Sequence, residues 1–154
     1  MKPGTFTQMY VQIVFAVRYR ENVLTKEIRP RVFEYVSAIV TNLHHKSIIV
    51  NGYTDHIHIF LGLNPSVSIS DTVHDIKRGS SLWINENRLV PGRFSWQDGY
   101  GSFTYNRSQV GAVFRYIENQ VAHHSGQSFR KEYISILESN EIEYDPKYLF
   151  EFFD

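Results

Sequence analysis

The stretch of residues 47–63 constrains the fold most, because it predicts two strands joined by a tight turn. Residues 47–53 are rich in β-branched side chains, and the pair Thr54-Asp55 is typical of a turn. Residues 56–63 form a second apolar run of strand length. Two strands so close in sequence pair antiparallel, so the chain is expected to contain a hairpin at this point.

Patterns of strands and helices lie on both sides of this hairpin. A strand and then a helix precede it, and a helix and then a strand follow it. The order β-α-β-β-α-β predicts an α+β fold with a ferredoxin-like (RRM-like) core and an antiparallel sheet over about residues 5–105. The flanking elements are expected at residues 6–17 (strand), 25–43 (helix capped by Thr25), 70–87 (helix) and 94–105 (strand, interrupted near Gly99 or Gly101).

The residues after the core predict further helices. Asn106 and Gln109 are spaced as a capping box, and residues 107–124 follow as one long helix. Its apolar stripe ends at Val121. Residues 128–154 form a C-terminal extension with a short helix over 128–139 and an aromatic tail. We expect a single domain over residues 1–154.

Composition excludes several classes of protein. The chain has no cysteine, so it is neither a disulfide scaffold nor a zinc–thiolate protein. No apolar run reaches the roughly 18 residues that a membrane span needs, and no secretory signal is visible, so we expect a cytoplasmic protein without a membrane partner.

The net charge of zero hides an asymmetry between the body of the chain and its end. Residues 1–131 hold 15 Lys and Arg against 9 Asp and Glu, a net +6, whereas residues 132–154 hold 1 against 7, a net −6. A basic body can bind a polyanion despite a neutral total, because the local potential governs encounter. An ordinary solvated surface with an acidic last helix explains the same counts.

Two histidines on the second strand of the hairpin are the first candidate site. In a strand, side chains alternate between faces, so His56 and His58 point to one face and Ile57 to the other. Two imidazoles at this spacing can share a divalent ion, and a third ligand from elsewhere would leave positions open for a substrate phosphate. Two histidines on a polar sheet face are the simpler interpretation.

A tyrosine and a glutamine on the predicted 107–124 helix are the second candidate. Tyr116 and Gln120 are four residues apart and therefore neighbours on one helix face, away from the apolar stripe. A surface tyrosine with a solvated hydroxyl explains the pair equally well. Taken with the histidines, however, Tyr116 provides a nucleophile for covalent catalysis on a phosphodiester whose charge a metal would offset.

The two motifs together resemble the pattern of one protein family. His56-Ile57-His58 and the Tyr116-x-x-x-Gln120 helix, with the chain length and element order, are similar to the single-tyrosine HUH endonucleases that serve as TnpA-type transposases of the smallest bacterial insertion sequences. The resemblance implies that His56, His58 and Gln120 bind Mg²⁺ or Mn²⁺ and that Tyr116 is the nucleophile. It further implies cleavage of hairpin-bearing single-stranded DNA through a 5′-phosphotyrosine, by a homodimer in which the tyrosine helix of one subunit can complete the other's site.

Several other residues, and the function itself, have more than one interpretation. Asp55 is a candidate for orienting a histidine ligand or a plain turn residue, and His123 and His124 are expected at a solvated helix end. Alternative functions are a domesticated relative that processes palindromic repeats, a non-catalytic single-stranded nucleic-acid-binding module, and a metal-dependent hydrolase of small phosphoesters. Candidate DNA-phosphate contacts are Lys77, Arg78, Arg88, Arg93, Arg107 and Arg115.

Overall fold

The chain forms strands and helices in the predicted order. The structure, a computed structural model, describes residues 3–124, 127–146 and 149. Within them, the β-α-β-β-α-β core is followed by three further helices, and the α+β prediction is confirmed. The elements are β1 (Tyr10–Ala16), α1 (Arg29–Asn42), β2 (Lys46–Gly52), β3 (His56–Gly62), α2 (Ile69–Glu86), β4 (Gly101–Tyr105), α3 (Val110–Glu118), α4 (Gln120–His124) and α5 (Phe129–Ser139). The aromatic tail expected up to residue 153 falls largely outside the described residues.

The four strands form one antiparallel sheet in the order β2-β3-β1-β4. On the two central strands, Val14 pairs with His58 and Ala16 with His56. Residues paired directly share a face of the sheet. Both histidines therefore lie on one face in the middle of the sheet.

The opposite face of the sheet carries the apolar core. The alternate residues of the central strands, such as Ile13, Phe15 and Ile57, are fully buried there. They belong to one cluster with buried residues of α1 and α2, including Val36 and Ile76. None of the helices in the described part of the chain is long and apolar enough to cross a membrane. The apolar face is thus covered by two helices, and the histidine face is left for α3, α4 and α5.

A glycine lets α5 approach the histidine face closely. A Cβ atom at Gly101, the first residue of β4, would lie 2.7 Å from the Tyr133 hydroxyl oxygen of α5. A side chain at this position would force the Tyr133 hydroxyl and the Phe103 ring to shift. Phe129 and Tyr133 of α5 are both buried in the same core cluster as the sheet. The C-terminal helix is therefore packed onto the core.

The predicted helix over residues 107–124 is wrong as a single helix. Its start is confirmed, because Gln109 Oε1 accepts from the Asn106 N–H at 3.0 Å. The backbone leaves helical geometry at Asn119, however, so α3 ends at Glu118 and α4 begins at Gln120. The side chain of Asn51 on β2 donates to the carbonyl oxygens of Ile117 and Glu118, at 2.9 and 3.1 Å, and so binds the end of α3.

Three smaller expectations also need correction. Thr25 does not cap α1 with its side chain; only its carbonyl oxygen accepts bonds, and the helix begins at Arg29. Val121 does not belong to a buried stripe, since it is 52% exposed after the break. The expected strand over 94–105 is interrupted as predicted near Gly99, whose φ is +90°, and only its last five residues form β4.

Candidate active site

The two histidines of β3 are buried and held at one ring nitrogen each. Both have no exposed surface. Nδ1 of His56 lies 2.8 Å from Asp55 Oδ1, and Nδ1 of His58 lies 2.9 Å from the side-chain amide of Gln12. These contacts fix the ring orientations and leave each Nε2 facing the same space. Asp55 is therefore a partner of His56 and not a plain turn residue.

The break after α3 turns Gln120 toward the histidines. Gln120 is fully buried, and its Oε1 lies 3.0 Å from His56 Nε2. Its Nε2 donates to Glu132 Oε2 at 2.9 Å. The Asn51 contacts at the end of α3 set the point at which this turn occurs. The structure thus brings the predicted glutamine and histidines together, although on a broken helix.

Glu132 of α5 is a site residue that the sequence reasoning missed. The side chain of Ser128 caps α5 by accepting from Lys131 N, which places Glu132 in the first turn. Glu132 is only 1% exposed, and its Oε1 lies 3.2 Å from His56 Nε2 and 3.3 Å from His58 Nε2. A single carboxylate therefore bridges both histidines.

His124 also belongs to the cluster, so its expected place at a solvated helix end is wrong. Its side chain is 2% exposed, and its Nε2 lies 2.9 Å from Glu132 Oε1. The ring lies between Tyr53 and His56, with centroid distances of 5.3 and 4.7 Å. The side chain of His123 lies outside the described residues.

Tyr116 points its hydroxyl into the same cluster. The ring is partly buried, and its centroid lies 6.0 Å from that of His58. The hydroxyl donates to Glu132 Oε2, the carboxylate oxygen that also accepts from Gln120. The tyrosine oxygen and the histidine Nε2 atoms are thus separated by the width of one carboxylate.

Charge in the cluster is balanced by these contacts. Burial lowers the pKa of His56, but hydrogen bonds to Asp55 and Glu132 outweigh it and raise the pKa to about 9. Burial lowers the pKa of His58. Burial raises the pKa of the Glu132 carboxyl, but His58, His124 and His56 together hold it well below its usual range. Burial and the neighbouring Glu132 charge raise the pKa of the Tyr116 hydroxyl.

The donor atoms fit a divalent cation. His56, His58 and Glu132 offer ligand atoms that all lie within 4.8 Å of one another. His56 Nε2 lies 3.0 Å from Gln120 Oε1 and 3.2 Å from Glu132 Oε1, and His58 Nε2 lies 3.3 Å from Glu132 Oε1. These separations match neighbouring ligands around an ion with bonds of about 2.1 Å. Mixed imidazole and oxygen donors suit several divalent metals, among them Mn²⁺ and Zn²⁺. The cluster could therefore hold a divalent metal ion.

Comparison with known proteins identifies the family. The model of the IS200-like transposase family matches residues 5–120. The chain belongs to the IS200-like transposases. The ISDra2 transposase TnpA of Deinococcus radiodurans is 24% identical over 122 residues, which cover 76% of this chain and 87% of that protein.

Two solved structures share the fold of this transposase. A crystal structure of a protein assigned as a transposase from D. radiodurans R1 has a TM-score of 0.63 at 23% identity, covering 78% of this chain and 96% of the other. A REP-associated tyrosine transposase bound to a REP hairpin has a TM-score of 0.59 at 12% identity, with 80% and 74% covered. The family match ends at residue 120, so Glu132 and His124 of this transposase lie beyond it.

The six basic residues predicted to contact DNA do not share one surface of the transposase. Lys77 lies on α2, on the opposite side of the sheet, and its ammonium donates to the carbonyl oxygens of Gln97 and Gly99 at 2.7 and 2.8 Å. Arg107 lies just before α3, and Arg115 lies on α3 next to Tyr116 in the sequence. The five arginines, Arg78, Arg88, Arg93, Arg107 and Arg115, are exposed.

Proposed function

We propose that this transposase cuts single-stranded DNA with Tyr116 as the nucleophile, in a site that holds Mg²⁺ or Mn²⁺. The Tyr116 oxygen attacks phosphorus while the bond from phosphorus to the 3′ oxygen breaks. The Tyr116 hydroxyl gives up its proton and the released 3′ oxygen takes one up, so the products are a 5′-phosphotyrosine and a strand ending in a free 3′-hydroxyl. Attack of a 3′-hydroxyl on such a link reverses the step and rejoins strands without an external energy source.

The observation that carries this proposal is the convergence of Tyr116, His56 and His58 on Glu132. A bound divalent cation would polarise the phosphoryl oxygens and offset the charge that builds on them. His56, His58 and Gln120 would hold that cation, with Asp55 and Gln12 orienting the two imidazole rings.

Glu132 adds a fourth donor atom beside His56, His58 and Gln120. Its carboxylate lies between the Tyr116 hydroxyl and the histidines, which is the position that the anionic scissile phosphate needs in the reaction. We expect the phosphate to replace it there. The arrangement supports a catalytic site. A non-catalytic nucleic-acid binder would not need a tyrosine hydroxyl turned into a cluster of candidate metal ligands.

Hairpin-bearing single-stranded DNA is the proposed substrate, and a homodimer is the proposed assembly. The REP-associated relative is described as bound to a DNA hairpin, which supports this substrate class. The tyrosine and the histidines that meet in this site belong to one chain, so each subunit of a dimer would hold a complete site. A single domain and a cytoplasmic location stay predictions.

Covalent capture tests the proposal. The protein is incubated with Mn²⁺ and labelled single strands that carry hairpins from the DNA flanking its gene, and the mixture is run on a denaturing gel. We expect a DNA–protein adduct with the wild type and with Tyr35→Phe, a matched control on α1 across the sheet. Tyr116→Phe, which loses only the hydroxyl oxygen, should give none. An adduct on Tyr116→Phe contradicts the nucleophile assignment, and strand retention without any adduct supports the non-catalytic binder.

A further inference from the structure

An open cleft lies beside the active site, between α3, α5 and the end of β4. Its volume is about 390 Å³. This is near the lower end of the range of roughly 300–1,000 Å³ found for small-molecule sites, so the cleft holds one small group and not several. Its lining includes Gln12, Tyr105, Gln109, Tyr116, Ser139 and Asn140.

The chemistry of the lining selects a neutral ligand. None of the side chains that line the cleft carries a charge at neutral pH, so a phosphate group would find no Lys or Arg there. The walls instead present amides from Gln109 and Asn140, hydroxyls from two serines, an aromatic ring from Tyr105, and apolar surface. Flat rings with amide and hydroxyl groups around them are the means by which proteins bind single unpaired nucleobases.

The cleft is joined directly to the reactive groups. The ring of Tyr116 forms part of its wall, while the hydroxyl of that tyrosine reaches Glu132 inside the site. Tyr105 donates its hydroxyl to Gln12 at 2.7 Å, and the same Gln12 amide lies 2.9 Å from His58 Nδ1. A group in the cleft therefore touches residues that contact the metal ligands and the nucleophile.

We propose that the cleft binds one unpaired nucleobase of the nucleotide next to the scissile phosphate. The inference rests on the proposed function, because it assumes that the phosphate lies at the Tyr116 hydroxyl. A base in the cleft would fix the register of the strand relative to that hydroxyl. It would also give the enzyme a preference for the base at one side of the cut, independent of any hairpin.

A wedge placed in the cleft tests this inference. Ala112 lines the cleft at an exposed position of α3, so Ala112→Trp fills the space without disturbing the core. Ala38→Trp makes the same change at an exposed position of α1, across the sheet. Ser139→Trp, an exposed position on α5, provides a second wedge from the opposite wall should the first fail to fold.

The probes are labelled strands of about ten nucleotides, within the usual site size for single-strand binding. Four of the strands each contain a single base type throughout (dA, dC, dG or dT). The fifth strand is abasic and has the same number of phosphates. Binding is measured by fluorescence anisotropy with a chelator present, so no cleavage occurs. Because stacking of one base contributes about 1–3 kcal/mol, we expect Ala112→Trp to lower the affinity for the tightest-binding base-bearing strand about 5-fold or more. Binding of the abasic strand should not change.

Each result decides the inference. Selective loss of binding to base-bearing strands in each wedge variant that folds, with no loss in Ala38→Trp, supports it. Equal weakening of abasic and base-bearing strands, or no weakening of either, overturns it. This assay needs neither metal nor cleavage. Base binding in the cleft can therefore be refuted while covalent capture succeeds, and base binding can be supported while covalent capture fails.

Discussion

Replacing Glu132 by alanine is the most direct test of how the active site is held together. The carboxylate contacts the Nε2 atoms of His56, His58 and His124 and accepts from Tyr116 and Gln120. All of these contacts are lost in Glu132→Ala. The raised pKa of His56, about 9 despite the opposing effect of burial, means that its imidazolium loses a counter-ion within a buried site.

The expected cost follows from burial. Removing one partner of a buried ion pair destabilises proteins by about 3–5 kcal/mol, since the other charge stays without compensation. At about 2–4 °C per kcal/mol for a chain of this size, the melting temperature should fall by about 6–20 °C. Glu132→Gln keeps the volume and one acceptor oxygen, so it should cost less than Glu132→Ala.

Thermal and urea unfolding in the presence of a chelator measure this cost. Glu138→Ala is the matched control, because Glu138 lies on the same helix but is exposed, and it should change the free energy of unfolding by no more than about 0.5 kcal/mol. A loss below about 1 kcal/mol in Glu132→Ala would show that the carboxylate does not hold the histidines in the metal-free protein. The geometry assigned to the site would then be refuted.

Two further predictions concern the subunit and the proton. A mixture of Tyr116→Phe and His56→Ala proteins should recover no cleavage after subunit exchange, because tyrosine and histidine meet within one chain; sites shared between subunits would instead restore about a quarter of the sites. The affinity for Mn²⁺, measured by calorimetry, should increase from pH 6.5 to 9, because the metal must displace a proton from His56. Asp55 and Glu132 retain that proton against the effect of burial. Over the same pH range, the protein in chelator should lose stability. A group whose pKa is raised by folding stabilises the folded state at pH values below that pKa, and this contribution is lost as the pH rises through it. An affinity independent of pH would contradict this assignment.

The core of the fold could be predicted from the sequence because its patterns are local. Strand alternation, the turn before His56 and helical spacing gave the element order, which the sheet topology confirms. Helix ends were less predictable, since they depend on distant contacts. The long helix over 107–124 breaks because Asn51, on another element, binds its carbonyl oxygens. Nothing in the local pattern of that helix shows this.

The same limit explains which site residues were found. His56 and His58 share a strand, and Tyr116 and Gln120 are four residues apart, so their spacing could be interpreted. Glu132 stands alone on a helix of ordinary charged composition. One clue was available: it is the first acidic residue of the C-terminal stretch of net charge −6, directly after two basic residues. Its burial depends on α5 packing against Gly101, a contact between distant parts of the chain.

The segment beyond the family match therefore does more than end the chain. Residues 5–120 contain the histidines, the tyrosine and the glutamine, and α5 lies outside them. Yet α5 supplies Glu132, whose carboxylate contacts both histidines, Tyr116 and Gln120, and also one wall of the adjacent cleft through Ser139. Removal of α5 would take the Glu132 carboxylate away from His58 and His124, leave His56 with Asp55, and leave the cleft without a side.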